Sequence, residues 1–184
     1  MAGDNYTRMA ISYTFCPQCG TRLTTGPLHG RDREHCPACG FIVFDNPAPV
    51  GLAIIEHEGR LVLIRRTIPP LQNYWAPPAG HVEMGESVSE ATIREAHEES
   101  GLEITLDGLV GVYSQADVKV VIIAYRGRSR GGVLKAGDDA SDIGLFSPGQ
   151  LPVQPPPVDG TATDHWFYGV IQDVTAAWQK APLS

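Results

Sequence analysis

GHVEMGESVSEATIREAHEESGL, residues Gly80 to Leu102, is the stretch on which the fold turns. Ser87, followed three residues later by Glu90, forms a capping-box pair and starts a helix. Gly101 follows the last good helix former and suits the left-handed position just past a helix end. About three turns lie between them, an ordinary length. At ~100° per residue, Glu95, Glu98 and Glu99 share one side of this helix. Ser89, Ile93, Ala96 and Ser100 share another, which is the expected buried stripe. Three carboxylates within one turn repel one another. They also occupy the C-terminal half of the helix, where its dipole disfavours negative charge, with Arg94 as their cationic neighbour. Two readings stand on these residues alone. The cluster is a solvated acidic face, or it is a set of hard oxygen ligands for Mg²⁺ or Mn²⁺.

The spacing separates them. Gly80, five residues, Glu86, seven residues and then Arg94-Glu95-Ala96-His97-Glu98-Glu99-Ser100-Gly101-Leu102 resembles the Nudix box, GX5EX7REUXEEXGU. Every fixed position is present, and Ala96 is smaller than the usual bulky aliphatic residue at its place. The resemblance implies an α/β (α+β) sandwich, with a mixed sheet between the box helix and a C-terminal helix. It implies Mg²⁺- or Mn²⁺-dependent hydrolysis of a nucleoside diphosphate linked to another moiety. Glu95, Glu98 and Glu99 become the metal ligands, joined by the Ala79 carbonyl just before the box glycine. Glu98 and Glu95 become catalytic carboxylates, with Glu86 and Arg94 in support. Arg94 orients the carboxylates through charge-assisted hydrogen bonds. Members of the family often place one more acid ahead of a late strand. Here Asp142 matches that position by its distance from Leu145-Phe146, and Asp139 is the second choice.

The chain of 184 residues is long enough for one sizeable domain and a small appendage. Its 42% hydrophobic and 19% charged content is that of a globular protein. A net charge of −7 weighs against nucleic acid or a membrane surface as partner. Residues 1 to 13 are mixed and polar rather than a signal peptide, and no run approaches the ~20 apolar residues of a membrane span. The expectation is a cytoplasmic protein.

All four cysteines fall in two CPxCG knuckles, Cys16-Pro17-Gln18-Cys19-Gly20 and Cys36-Pro37-Ala38-Cys39-Gly40, sixteen residues apart. That is the spacing of a four-thiolate zinc site, and the repeated knuckle favours zinc over a disulfide or a single redox pair. Four ligands close the coordination shell, so the zinc is structural and His29 and His35 are bystanders. A zinc ribbon over 13–45 therefore precedes a catalytic domain over 46–180. The short stiff joint Asp45-Asn46-Pro47-Ala48-Pro49 implies that the two pack together.

Within 46–180, Val50–Glu56 and Arg60–Arg66 read as a hairpin around His57-Glu58-Gly59. Arg65 and Arg66 at its end are candidate substrate-phosphate contacts, and Tyr74 in the loop entering the box is a third substrate candidate. Ile104–Val112 and Val118–Tyr125 read as strands, Gly127–Gly137 as a mobile, arginine-bearing tip, and Ile143–Phe146 as a short strand. Thr163 caps a last helix, whose Trp166, Phe167, Val170, Ile171, Val174 and Trp178 form a core stripe. The substrate is the least legible part. The zinc knuckles and the Ile55-Glu56-His57-Glu58-Gly59 run resemble a zinc-ribbon Nudix group acting on FAD and ADP-ribose. Of the NADH-pyrophosphatase signature SQPWPFPxS only Ser114-Gln115 remains. NADH or another dinucleotide, a nucleotide sugar and a nucleoside triphosphate stay as alternatives. Further off stand a non-hydrolytic nucleotide sensor and a nucleic-acid adaptor. A homodimer is the expected assembly.

Overall fold

The computed structural model describes residues 13–180. They fall into two compact units, the first ending at Asn46 and the second beginning at Pro47.

The first unit is built on an antiparallel hairpin of β1 (Thr24–Leu28) and β2 (Arg31–His35), in register from Thr24↔His35 to Leu28↔Arg31. The two knuckles flank it and repeat one geometry. Gly20 N–H donates to Cys16 O at 2.9 Å and Gly40 N–H to Cys36 O at 3.0 Å. Both glycines sit at positive φ, 73° and 77°, which a tight turn requires and a side chain resists.

The second unit is a seven-stranded mixed sheet with a helix on each face. β3 (Ala48–His57) turns into β4 (Arg60–Arg66) through Glu58-Gly59, both at positive φ. The hairpin stays paired only at Glu56↔Leu61 and His57↔Arg60, and then the strands part. β4 goes on to pair with β5 (Trp75–Ala76) and β9 (Ala140–Phe146). β3 takes β6 (Ala79–His81) along Val50–Leu52, and on its other side runs parallel to β8 (Val120–Gly132). β7 (Leu102–Tyr113) pairs antiparallel with β8. The parting of β3 and β4 opens the place into which Ala79–His81 enters, directly ahead of the box helix.

Alternation along the strands feeds two cores. Leu52, Ile54, Leu61, Leu63, Ile122 and Ala124 face α2 (Ala162–Lys180), meeting Phe167, Val170, Ile171, Val174 and Trp178. Ala53, Ile55 and Val62 face α1 (Val88–Ser100), meeting Ala96. Trp178 Nε1 also donates to the buried Glu56 at 3.0 Å, which fixes the C-terminal end of α2. Trp166 packs at the margin of this core.

Two sequence expectations change. Gly127–Gly137 is no mobile tip: β8 runs on to Gly132, pairing Arg126, Gly127, Arg128 and Ser129 with β7. The alternation of arginines with small residues hides a strand. The cap of α2 is Thr161 rather than Thr163, because Thr161 and Asp164 exchange hydrogen bonds at 2.7–3.2 Å.

Candidate active site

α1 begins as the sequence predicts. Ser87 and Glu90 close a reciprocal capping box, and Gly101, at φ 71°, ends the helix with its N–H on His97 O. Its buried face differs from the expected one. Ala91, Thr92, Ala96, Glu99 and Ser100 are buried, whereas Ile93 is 38% exposed. The stripe is turned toward the carboxylates because α1 packs through small side chains. Thr92 lies against Gly51 of β3, where a Cβ has no room.

This rotation pulls Glu99 into the protein, leaving it 8% exposed. Its Oε2 accepts the Ala79 N–H at 2.8 Å. Burial lifts its carboxyl to about 7; the Ala79 amide and Arg66 pull it down, while Glu95 and Asp139 push it up. Burial also raises Glu95, against the pull of Arg94. The Glu95 carboxylate occupies the space that a side chain at Gly80 would fill, which gives the box glycine a concrete purpose.

Arg94 gathers the cluster. Its Nε and Nη2 grip Glu86 at 3.1 and 2.7 Å, and Nη2 also meets His81 O at 3.0 Å. Nη1 bridges Glu95 at 2.7 Å and Glu98 at 3.0 Å. The Arg94 hydrogen bonds, with the Glu83 N–H, hold the Glu86 carboxyl down at about 2. Glu95 and Glu98 lean on Arg94 and Glu99 on the Ala79 amide, and the three do not converge on one point. Among the described residues, only the four cysteines meet closely enough to define a metal centre by geometry. The donor set of Glu95, Glu98 and Glu99 nevertheless fits a hard divalent cation in its chemistry: three carboxyl groups within about one helical turn, two with raised proton affinity.

The other candidates divide. Arg65 is exposed and donates from Nε to Asn73 O at 3.2 Å. Arg66 is 6% exposed, its Nε on Pro70 O at 2.8 Å and its guanidinium 5.3 Å from the Phe167 ring centre. It is built into the wall beside Glu99 rather than presented to solvent. Tyr74 packs on the α2-side core, edge-on to Tyr168. Asp142 lies within β9. It pairs with Arg65 on β4, in the row that continues through Leu63↔Gly144 and Leu61↔Phe146 on the α2 face. Its carboxylate accepts the N–H of Ile143 at 2.8 Å. Asp139, the second choice, is the acid within electrostatic reach of Glu99. Counting back from Leu145-Phe146 gives a position, but the face depends on register with β4, which is irregular at Arg65/Arg66. Thr67, which holds the Asp139 main chain, carries no signal in the sequence at all.

In the first unit the Sγ atoms of Cys16, Cys19, Cys36 and Cys39 all lie within 4.8 Å of one another. The cross-knuckle separations, 3.5 Å for Cys16–Cys39 and 3.4 Å for Cys19–Cys36, are near the ~3.8 Å between ligands of a tetrahedron with Zn–S of about 2.3 Å. Four thiols so placed fit a closed zinc site.

Known proteins agree with this geometry. A NUDIX domain profile matches residues 45–166. An ADP-ribose pyrophosphatase of Methanocaldococcus jannaschii is 40% identical over 116 residues, covering 61% of this chain and 69% of its own. The NAD-capped RNA hydrolase NudC of Pseudomonas aeruginosa is 28% identical over 145 residues, 77% of this chain; the chain spans only half the length of that relative. The crystal structure of a NUDIX hydrolase from Nitrosomonas europaea superposes with a TM-score of 0.79 at 26% identity, over 92% of both chains. That coverage extends the likeness into the cysteine-bearing unit. Sequence profile, relatives and fold together place this chain in the Nudix hydrolase family.

Proposed function

We propose that the chain hydrolyses the diphosphate bond of ADP-ribose or FAD, with ADP-ribose the first substrate to test. The observation that carries this is the complete carboxylate set of the box, gathered by Arg94 and the Ala79 amide at the buried end of α1. The choice of ADP-ribose leans on the 40% identity to an ADP-ribose pyrophosphatase.

A phosphoanhydride resists water because its anionic oxygens repel nucleophiles. Bound Mg²⁺ or Mn²⁺ supplies the charge that neutralises those oxygens and polarises a water. Glu95, Glu98 and Glu99 are the residues that hold it, with the Ala79 carbonyl as the expected further ligand. Glu86, held at about 2, stays ionised throughout the working range and keeps the fork of Arg94 in place. Nη1 of Arg94 then sets the relative positions of Glu95 and Glu98. Asp139 takes a proton from the attacking water or joins the ligands; its electrostatic reach to Glu99 favours it over Asp142, whose row runs along the α2 face. The four cysteines hold a structural Zn²⁺ with no open coordination position.

A second reading has its own support: NudC matches 77% of this chain, more than the archaeal relative does. It makes an NAD-type dinucleotide the substrate. The loss of all but Ser114-Gln115 of the corresponding signature argues against it. A homodimer remains the assembly to look for by light scattering.

The deciding experiment is a product-mass screen of ADP-ribose, FAD, NADH, NAD-capped RNA, nucleotide sugars and nucleoside triphosphates with Mg²⁺ or Mn²⁺. ADP-ribose should give AMP and ribose 5-phosphate. Glu98→Gln and Glu99→Gln should each lower kcat about a hundredfold or more. Near-normal turnover in both variants would sink the assignment.

A further inference from the structure

Asp139 lies within electrostatic reach of Glu99, on a segment fastened at several points. From Val133 to Gly137, alternate amides donate to the open carbonyls at the end of α1. Val133 N–H meets Gly101 O at 3.2 Å, Lys135 N–H meets Ser100 O at 2.9 Å and Gly137 N–H meets Glu99 O at 3.2 Å. Gly137 has no room for a Cβ against the Glu98 carbonyl, so the segment lies flush on the helix. The chain then turns, with Ala140 N–H on Gly137 O at 3.1 Å. At this turn the Asp139 carbonyl accepts two hydrogen bonds from one residue, Thr67: the N–H at 3.0 Å and Oγ1 at 2.8 Å. Thr67 directly follows Arg66 at the end of β4, and its own carbonyl accepts Gln72 Nε2 at 2.7 Å.

The arrangement has an electrostatic purpose. Asp139 and Glu99 are like charges, and nothing in Coulomb's law brings them together. The fold does so through the main chain, by anchoring Gly137 on Glu99 itself and Asp139 on Thr67. One amide alone leaves a carbonyl free to swing about it. A second donor, the hydroxyl, restrains the peptide plane and with it the course of the main chain that carries the Asp139 side chain.

We infer that Thr67 is a positioning residue, which holds Asp139 as a fourth carboxylate of the metal-binding cluster. The inference rests on the function proposed above. Mn²⁺ is titrated calorimetrically, without substrate, into the zinc-loaded wild type, Thr67→Val, Thr67→Ser and Asp139→Asn. Loss of one hydroxyl bond to the clamp should weaken Mn²⁺ binding by Thr67→Val about five- to tenfold. Its kcat should fall in step while KM for ADP-ribose stays within about twofold, and Thr67→Ser should recover both. Asp139→Asn should weaken Mn²⁺ at least as much as Thr67→Val. Wild-type Mn²⁺ affinity in Thr67→Val or Asp139→Asn overturns the proposal, as does a serine variant no better than valine. The two readings separate: a wild type that cleaves none of the diphosphates screened above fails the diphosphatase function, whereas an active wild type beside a Thr67→Val of normal Mn²⁺ affinity and kcat defeats the positioning role alone.

Discussion

Glu99→Gln removes a charge that the metal-free fold carries at a loss. Glu99 is 8% exposed, and burial raises its carboxyl from 4.5 to about 7. A carboxyl with a higher pKa folded than unfolded binds its proton more tightly in the native state. Its contribution is therefore fully present below pH 4.5 and lost as pH rises through 7. The difference of about 2.5 pH units corresponds to about 3 kcal/mol. That loss is complete by pH 8 and under about 1 kcal/mol at pH 5. Glutamine keeps the volume and an oxygen for the Ala79 N–H, and it does not ionise. In Mg²⁺-free buffer with zinc retained, Glu99→Gln should melt on the order of 10 °C above wild type at pH 8, and within about 3 °C of it at pH 5. Mg²⁺ should then stabilise the wild type and leave the variant nearly unmoved. A variant that melts at or below wild type at pH 8, or a gap that does not change with pH, refutes the reasoning.

Four further outcomes follow from the geometry. Strong chelation should unprotect the amides of 13–45 in hydrogen exchange while those of 47–180 stay protected, because so short a unit owes much of its folding free energy to zinc; uniform protection after zinc loss would contradict the ribbon. Arg94→Lys loses both the fork on Glu86 and the bridge between Glu95 and Glu98, so kcat should drop about ten- to a hundredfold with an unchanged circular dichroism spectrum. Gly80→Ala drives a Cβ into the Glu95 carboxylate, the movable end of a side chain; melting should shift by only a few degrees while activity falls about tenfold or more. Asp142→Asn should leave kcat within about twofold of wild type, since its row faces α2; a tenfold loss would restore it to the site.

What the sequence made legible was local. The capping pair Ser87/Glu90, the terminal Gly101 and the paired CPxCG knuckles depend on residues a few positions apart, and all appear where expected. The hairpin around Glu58-Gly59 and the core stripe of α2 are of the same kind. What the sequence misread or left open depends on contacts between distant segments. Ile93 looked buried because it is apolar, yet close approach to Gly51 favours the small Thr92 and turns Ile93 outward. Arg65 and Arg66 are neighbours in sequence with opposite fates, decided by Phe167 a hundred residues on. Asp142 lies within β9, in register with β4, and Asp139 in the turn ahead of it, a difference that the distance from Leu145-Phe146 does not reveal.

The carboxylates sit in a helix half that disfavours them, and the fold compensates with partners that are directional rather than merely positive. Arg94 spends its donors on Glu86, Glu95, Glu98 and the His81 carbonyl, and the Ala79 amide serves Glu99. Only Glu86 is drawn down by this to about 2; Glu95 and Glu99 stay raised by burial. The division follows from exposure and grip. Glu86 receives two bonds from the guanidinium and one from the Glu83 amide, so it is a fixed anchor with no need of a further cation. Glu95 shares one bridging nitrogen with Glu98, and Glu99 has one amide, so these three retain oxygens for a divalent cation. A site arranged the other way, with Arg94 saturating Glu99 and leaving Glu86 loose, would hold the same residues in the same sequence spacing and bind metal far more weakly.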